Sequence, residues 1–164
     1  PFWIGTVFHS RGRSIFIKSN RGSYKITFDS AFRSVMQGCQ KPRRNQEGTW
    51  ITKDMIAAYG ELHRRGHAHS VETYHDGELV GGLYGVSLGR VFFGESMFHE
   101  VSDASKIALW ALCEKLSEWN FELIDCQMTT RHLLSLGARE LPRREFLGLV
   151  REGMRYPTRR ELWS

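Results

Sequence analysis

Cysteine is scarce in this sequence, at three among 164 residues: Cys39, Cys113 and Cys126. An odd number with no close spacing gives neither a disulfide framework nor a zinc knuckle. A reducing, cytoplasmic setting is the expectation. Proline is also sparse, at four residues, while 41% of the chain is hydrophobic and 25% charged. That balance excludes disorder as the main state. No apolar run approaches the roughly 20 residues that cross a bilayer, and no membrane partner is expected. The opening Pro1-Phe2-Trp3-Ile4 has neither the basic flank nor the apolar stretch of a signal peptide. Internal repeats and low-complexity tracts are missing too.

What remains is the composition of a globular protein, with length for one domain rather than two. Lys and Arg outnumber Asp and Glu by 23 to 18. Basic residues cluster at Arg11, Arg13, Lys18, Arg21 and Lys25, at Lys41, Arg43 and Arg44, and at Arg143 and Arg144. Such clusters neutralise phosphates, or simply make a solvated basic surface.

Local pattern sets the order of elements. Ser14 to Phe28 is β-prone and broken at Asn20-Arg21-Gly22, which predicts two short strands and a turn. Asp29 or Ser30 is placed to cap a helix ending near Gly38, followed by a polar loop from Cys39 to Gly48. Thr52 is an N-cap for a helix to about Arg65, which Gly66 stops. Asp76-Gly77 suits a type I′ turn between strands at 71–75 and 78–86, and a third strand at 90–98 completes a meander. Ser102 or Asp103 should cap the longest helix, about 104–119, with Leu109, Leu112, Leu116 and Trp119 on one stripe. A strand at 121–127, a brief helix opened by Thr129 or Thr130, and a last helix over 142–152 with Pro142 in its first turn follow. The segment 156–164 has no clear pattern. The expected class is α+β: a mixed, largely antiparallel sheet flanked by helices, in an order that resembles the Gcn5-related N-acetyltransferase fold.

Two carboxylates stand out. In Phe121 to Gln127, alternation puts Phe121, Leu123, Asp125 and Gln127 on one face, so an acid and an amide follow two apolar residues. A buried aspartate is unfavourable unless it is hydrogen-bonded, although an aspartate at a strand end also caps helices. Glu95 lies in the apolar run Phe92-Phe93-Gly94-Glu95-Ser96-Met97-Phe98. A carboxylate so placed has a perturbed pKa, unless it is simply paired with a base such as Lys106.

Several ordered blocks then carry a resemblance. Gly48 to Thr52 (GTWIT), Gly66 to Ser70 (GHAHS), Gly81 to Val86 (GGLYGV) and Phe93 to Phe98 (FGESMF) come first. Ser105-Lys106, Asp125-Cys126-Gln127, His132, Ser135 to Ala138 (SLGA) and Pro142-Arg143-Arg144 follow. In this order and spacing the chain resembles the leucyl/phenylalanyl-tRNA–protein transferases from about residue 14 to 148. The resemblance implies transfer of Leu, Phe and less well Met from aminoacyl-tRNA to proteins that begin with Arg or Lys, marking them for degradation. It implies an apolar aminoacyl pocket at Leu83, Phe92, Met97, Leu109, Leu112, Leu116 and Ile124. It places Trp50 and Tyr59 beside the 3′-terminal adenosine, Asp125 and Gln127 at the transfer step, and Glu95 at the acceptor site. No cofactor and no metal are implied, and a monomer is expected. Family members carry a longer N-terminal segment with an aromatic, proline-rich stretch, which Pro1 to Arg13 does not match. Residues 1–164 are therefore read as one acyltransferase-like domain, with 1–28 the remnant of a shortened N-terminal region.

Other readings stay open on the residues alone. A non-catalytic RNA-binding module fits the basic clusters and aromatics. An acyl-CoA-dependent N-acyltransferase would share the fold, but His99 to Asp103 offers two acids and no glycine where a pyrophosphate would sit. His63, His67, His69 and His75 lie close in sequence, yet no carboxylate or cysteine completes a ligand set.

Overall fold

The computed structural model describes the backbone of residues 4–9 and all atoms of residues 24–41 and 50–164. The first strand and turn expected at 14–22 lie outside the described residues.

The elements run β1 (Ile4–His9), β2 (Tyr24–Phe28), α1 (Phe32–Gln40), α2 (Lys53–Arg64), β3 (Ala68–His75), β4 (Glu78–Leu88), β5 (Val91–His99), α3 (Ala104–Glu118), β6 (Leu123–Asp125), α4 (Arg131–Ser135), β7 (Arg139–Pro142) and α5 (Arg143–Gly153). Among the described residues the strands form one sheet in the order β2-β3-β4-β5-β6-β1-β7. Every pairing is antiparallel except β5 with β6. Those two parallel strands are joined by the α3 crossover, as parallel neighbours require. The class is the expected one: α+β, with a mixed, mostly antiparallel sheet and flanking helices.

Two cores lie on opposite faces. Val71, Leu83, Phe92 and Ile124 of the sheet pack with Ala108, Leu109, Leu112 and Leu116 of α3. Fully burying one such leucine contributes roughly 1.5–3 kcal/mol. On the other face Phe32, Val35 and Met36 of α1 pack with Ala68 and Tyr84. Farther along that face, Phe146, Leu149 and Val150 of α5 cover Val91 and Leu123. The face thus has two covers, α1–α2 on one half and α5 on the other.

Start signals that act within one turn hold. Thr52 accepts a hydrogen bond from the Met55 N–H at 3.2 Å, and Thr130 from the Leu133 N–H at 3.1 Å. Asp76 and Gly77 both have positive φ (51° and 84°), as a type I′ turn demands. The other two caps need correction. Neither Asp29 nor Ser30 caps α1; the N-cap is Ala31, and the helix continues through Cys39 and Gln40. The turn leading into it is held instead by the buried carboxylate of Glu72, which accepts from Ser30 N at 3.3 Å and from Ala31 N, the N-cap itself, at 3.4 Å. Asp103, not Ser102, precedes α3, but its side chain makes no cap bond and instead holds Lys106 at 2.5 Å. Pro142 ends β7 and is the N-cap of α5 rather than its first residue.

Strands β1 and β7 had no counterpart in the sequence reading. β1 pairs with β6 and β7, between residues more than 110 positions apart. The stretch 121–127 forms a strand over Leu123–Asp125 only. Gln127 has φ 58° and has left the strand, so it does not continue the alternation that placed it on one face with Asp125.

Candidate active site

β5 and β6 run side by side for three rungs, Val91 to Leu123, Phe92 to Ile124 and Phe93 to Asp125, and pair no farther. Asp125 occupies the last rung. Two residues on, β5 is irregular. Gly94 faces Gly85 and Ser96 faces Tyr84, so Glu95 is the extra residue of a β-bulge. Bulges re-aim a side chain and end regular pairing. Gly85 makes room for it: a Cβ there would lie 2.2 Å from the Phe93 carbonyl oxygen and 2.5 Å from the Phe92 ring.

The bulge turns Glu95 toward α2 and the segment after β6. The Tyr59 hydroxyl and the Gln127 side-chain amide are within hydrogen-bonding reach of its carboxylate. Burial pushes the Glu95 pKa up, the two partners pull it down, and Asp125 adds a further push. The first effect wins. Burial also raises Asp125, which is 8% exposed, against the pull of the Gln127 backbone N–H that donates to Oδ1 at 3.0 Å. Tyr59, half-buried, is pushed up to about 12, chiefly by burial and then by the Glu95 charge. It stays a neutral donor at physiological pH. Tyr84, edge-on to Tyr59 at 5.5 Å, lies fully buried beneath this group.

Asp125, Gln127, Glu95 and Tyr59 are therefore brought together from α2, β5 and the end of β6. Two different carboxylates hold Gln127. Asp125 holds the backbone of Gln127, and it is Glu95 that reaches its side-chain amide. The left-handed φ of Gln127 is strain of a kind that clusters at functional sites, costing about 1–3 kcal/mol. Glu95 is not paired with Lys106, which is engaged with Asp103.

The seven residues expected to line an apolar pocket also come together, in the core under α3. Leu83, Phe92, Leu109, Leu112, Leu116 and Ile124 are buried there, with Met97 partly buried at its margin. Ile124 and Asp125 alternate across β6, so this core and the acid pair lie on opposite faces and meet where β5 and β6 part. Trp50 does not join the cluster. It is 53% exposed just before α2, and among the described residues no ring contact joins it to Tyr59. His63 and His69 are spent on structure: His63 Nδ1 on the Ala68 carbonyl at 2.8 Å, His69 Nδ1 on Asp29 at 2.7 Å. No group of three or more metal-ligating side chains occurs among the described residues. Sequence reasoning missed the bulge, for which Gly85 opposite Gly94 was the available signal. It also missed the buried Trp163, for which a lone Trp in a patternless tail gave only a hint.

Residues 8–151 match the family model of leucyl/phenylalanyl-tRNA protein transferase. The chain belongs to this family. A transferase of that name from Nitrosospira multiformis is 58% identical over 151 residues, 92% of this chain and 65% of its own. One from Nitrosomonas europaea is 53% identical, covering 92% and 64%. One from Legionella pneumophila is 49% identical, covering 90% and 66%. The chain thus spans about two thirds of the length of these family members. In fold it is similar to a conserved Bacteroides thetaiotaomicron protein of unknown function, at TM-score 0.54 and 13% identity over 98% of this chain and 57% of that one. It is also similar to the C-terminal domain of a candidate lysylphosphatidylglycerol synthetase from Agrobacterium fabrum, at TM-score 0.51 and 10% identity over 93% and 51%.

Proposed function

We propose that the chain carries the transfer site of an aminoacyltransferase. It moves Leu or Phe, and Met less well, from aminoacyl-tRNA to the N-terminal Arg or Lys of an acceptor protein, marking it for degradation. Membership of the family supports the reaction class. The observation that carries the site is the Glu95–Tyr59–Gln127–Asp125 group, which stands at the parting of two parallel strands above an apolar core. That parting is also the basis for reading the fold as Gcn5-related N-acetyltransferase-like.

The reaction joins the acceptor's α-amine to the aminoacyl carbonyl. A C–N bond forms, the ester C–O bond breaks, and the amine's proton leaves with the ribose hydroxyl. An α-amine has a reference pKa of about 7.7–8.0, so much of it is neutral near pH 7. Positioning then supplies most of the acceleration, since effective molarities reach roughly 10⁵–10⁸ M. An ordinary aspartate, near pKa 3.9, is a poor full proton acceptor from this amine by about 5 kcal/mol. Burial raises both Asp125 and Glu95 and narrows that gap. With its N–H group turned to Glu95, the Gln127 amide has its oxygen left to accept from the amine. Glu95 and Asp125 supply the negative charge that favours Arg or Lys at the acceptor terminus. Trp50 and Tyr59 flank the adenosine of the donor. The Leu and Phe side chains enter the core where it meets the strand parting, among Leu83, Phe92, Met97, Leu109, Leu112, Leu116 and Ile124.

The test is transfer of radiolabelled Leu, Phe and Met from charged tRNA to a peptide beginning with Arg. Transfer is expected for Leu and Phe, with Met weaker. A product formed equally well from an Asp125→Asn, Gln127→Ala double variant would remove these two residues from the reaction.

A further inference from the structure

The segment after α5 has no regular structure, yet it is held along its length. The Gly89 N–H donates to Thr158 Oγ1 at 2.9 Å, and the Arg90 guanidinium lies 3.6 Å over the Tyr156 ring. The Arg160 backbone passes so close that a Cβ on Gly66 would meet its carbonyl oxygen at 1.9 Å. The Trp163 backbone N–H donates to the buried Asp29 carboxylate at 2.8 Å. That carboxylate also accepts from the Ser70 N–H at 2.9 Å and from His69 Nδ1. Asp29 therefore ties the tail to two sheet strands, β2 through the chain and β3 through hydrogen bonds.

The anchor delivers a side chain to one place. Trp163 is 2% exposed, with its indole stacked on the His69 imidazole at 3.9 Å and 6°. The same indole meets Phe92 at 5.7 Å, Trp119 at 5.1 Å and Phe121 at 6.2 Å. Phe92 is the contact that matters. It also lies against the bare backbone of Gly85, where a Cβ would come within 2.5 Å of its ring. The phenyl ring is thus held by the sheet through Gly85 and by the tail through Trp163. Interiors packed at crystal density leave such a ring little freedom, and removing one neighbour lets it move.

Resting on the transfer reading above, we infer that Trp163 is a positioning residue for the aminoacyl pocket. It acts through Phe92, fixing the ring's pose and so the depth that a donor side chain reaches. Donor size is then set partly by a residue from the far end of the chain, on a different segment from every pocket residue.

The experiment compares Trp163→Leu and Trp163→Phe with the unchanged protein. It measures kcat/KM for tRNAs charged with Leu, Phe and the oversized donor Trp, against one Arg-starting peptide. The leucine variant is expected to raise the Trp-to-Leu ratio about tenfold, the scale on which a pocket senses added bulk. The phenylalanine variant should shift it less, and the KM for the peptide should not move. Unchanged donor ratios, or an equal loss for all three donors, overturn the inference, because a merely stabilising tail would give that result. Should Trp163→Leu not fold, the smaller shift in Trp163→Phe carries the test. Should the unchanged protein transfer nothing, the transfer reading fails separately. Calorimetric binding of 3′-leucyl-, phenylalanyl- and tryptophanyl-adenosine then decides the inference by the same ratio.

Discussion

At the scale of single residues, Glu95 faces two opposed demands. In the proposed reaction its charge serves an acceptor amine, yet burial opposes that charge. The folded-state pKa lies above the ordinary value, with burial the main cause. As pH rises past about 4.5 the unfolded chain ionises first, and the fold loses stability until the folded group ionises too. Glu95→Gln is therefore expected to raise the urea midpoint at pH 7, and the gain should vanish below about pH 4. An equal shift at both values would show that charge burial is not the cause. The same variant should raise the KM of an Arg-starting acceptor by roughly 10- to 100-fold, the worth of a hydrogen bond to a charged group. More stability with weaker acceptor binding is the pattern of a residue kept for function.

At the scale of elements, the turn into α1 shows how a helix start can be fixed from elsewhere. Glu72 Oε2 accepts from Thr27 Oγ1 at 2.8 Å and Ser30 Oγ at 2.9 Å, and Oε1 accepts from Ser70 Oγ at 2.5 Å. Together with the Ser30 and Ala31 N–H groups just before α1, this buried carboxylate is satisfied entirely by neutral donors. Negative charge is favourable there against the helix dipole. Glu72→Gln turns an N–H group toward other donors and should cost about 1.5–3 kcal/mol in urea unfolding. Asp103→Asn, which tolerates the left-handed φ of 68° and weakens only a half-buried pair, should cost under about 1 kcal/mol. Equal costs would give the Glu72 carboxylate no special part in holding the turn before α1. The contrast marks what was legible in the sequence. Thr52 and Thr130 read correctly because their caps act within three residues. Asp29 read wrongly because distant groups, His69, Ser70 and Trp163, claim its carboxylate. The meander was plain from one turn and alternating apolar residues. β1 and β7 were not, since each is short and owes its existence to pairing across the whole chain. At the site, Asp125 and Glu95 were visible as acids in apolar runs. The bulge and the turn at Gln127 that bring them together depend on backbone geometry that no spacing rule encodes.

At the scale of the whole molecule, the excess of positive charge is unevenly spent. Arg64 and Arg65 are bound to Glu61, Lys41 to Glu100, Lys106 to Asp103, Arg155 to Glu152 and Arg159 to Glu161. Arg139, Arg143 and Arg144 are exposed and make no ion pair among the described residues. Arg143 and Arg144 open α5, where positive charge opposes the helix dipole by about 0.3–1 kcal/mol per residue. The placement is poor for the helix and suitable for a phosphate of the proposed tRNA donor. Two measurements on Arg143→Gln, Arg144→Gln separate these roles. Thermal stability should rise, because the dipole conflict is gone. Affinity for tRNA should fall, and the slope of log affinity against log salt should flatten by about 0.7–0.9 for each phosphate that is no longer neutralised. A rise in stability with an unchanged salt slope would leave the arginines as solvated surface and move the tRNA interface elsewhere. Flattening of the slope would show that α5 gives up local stability to hold its partner.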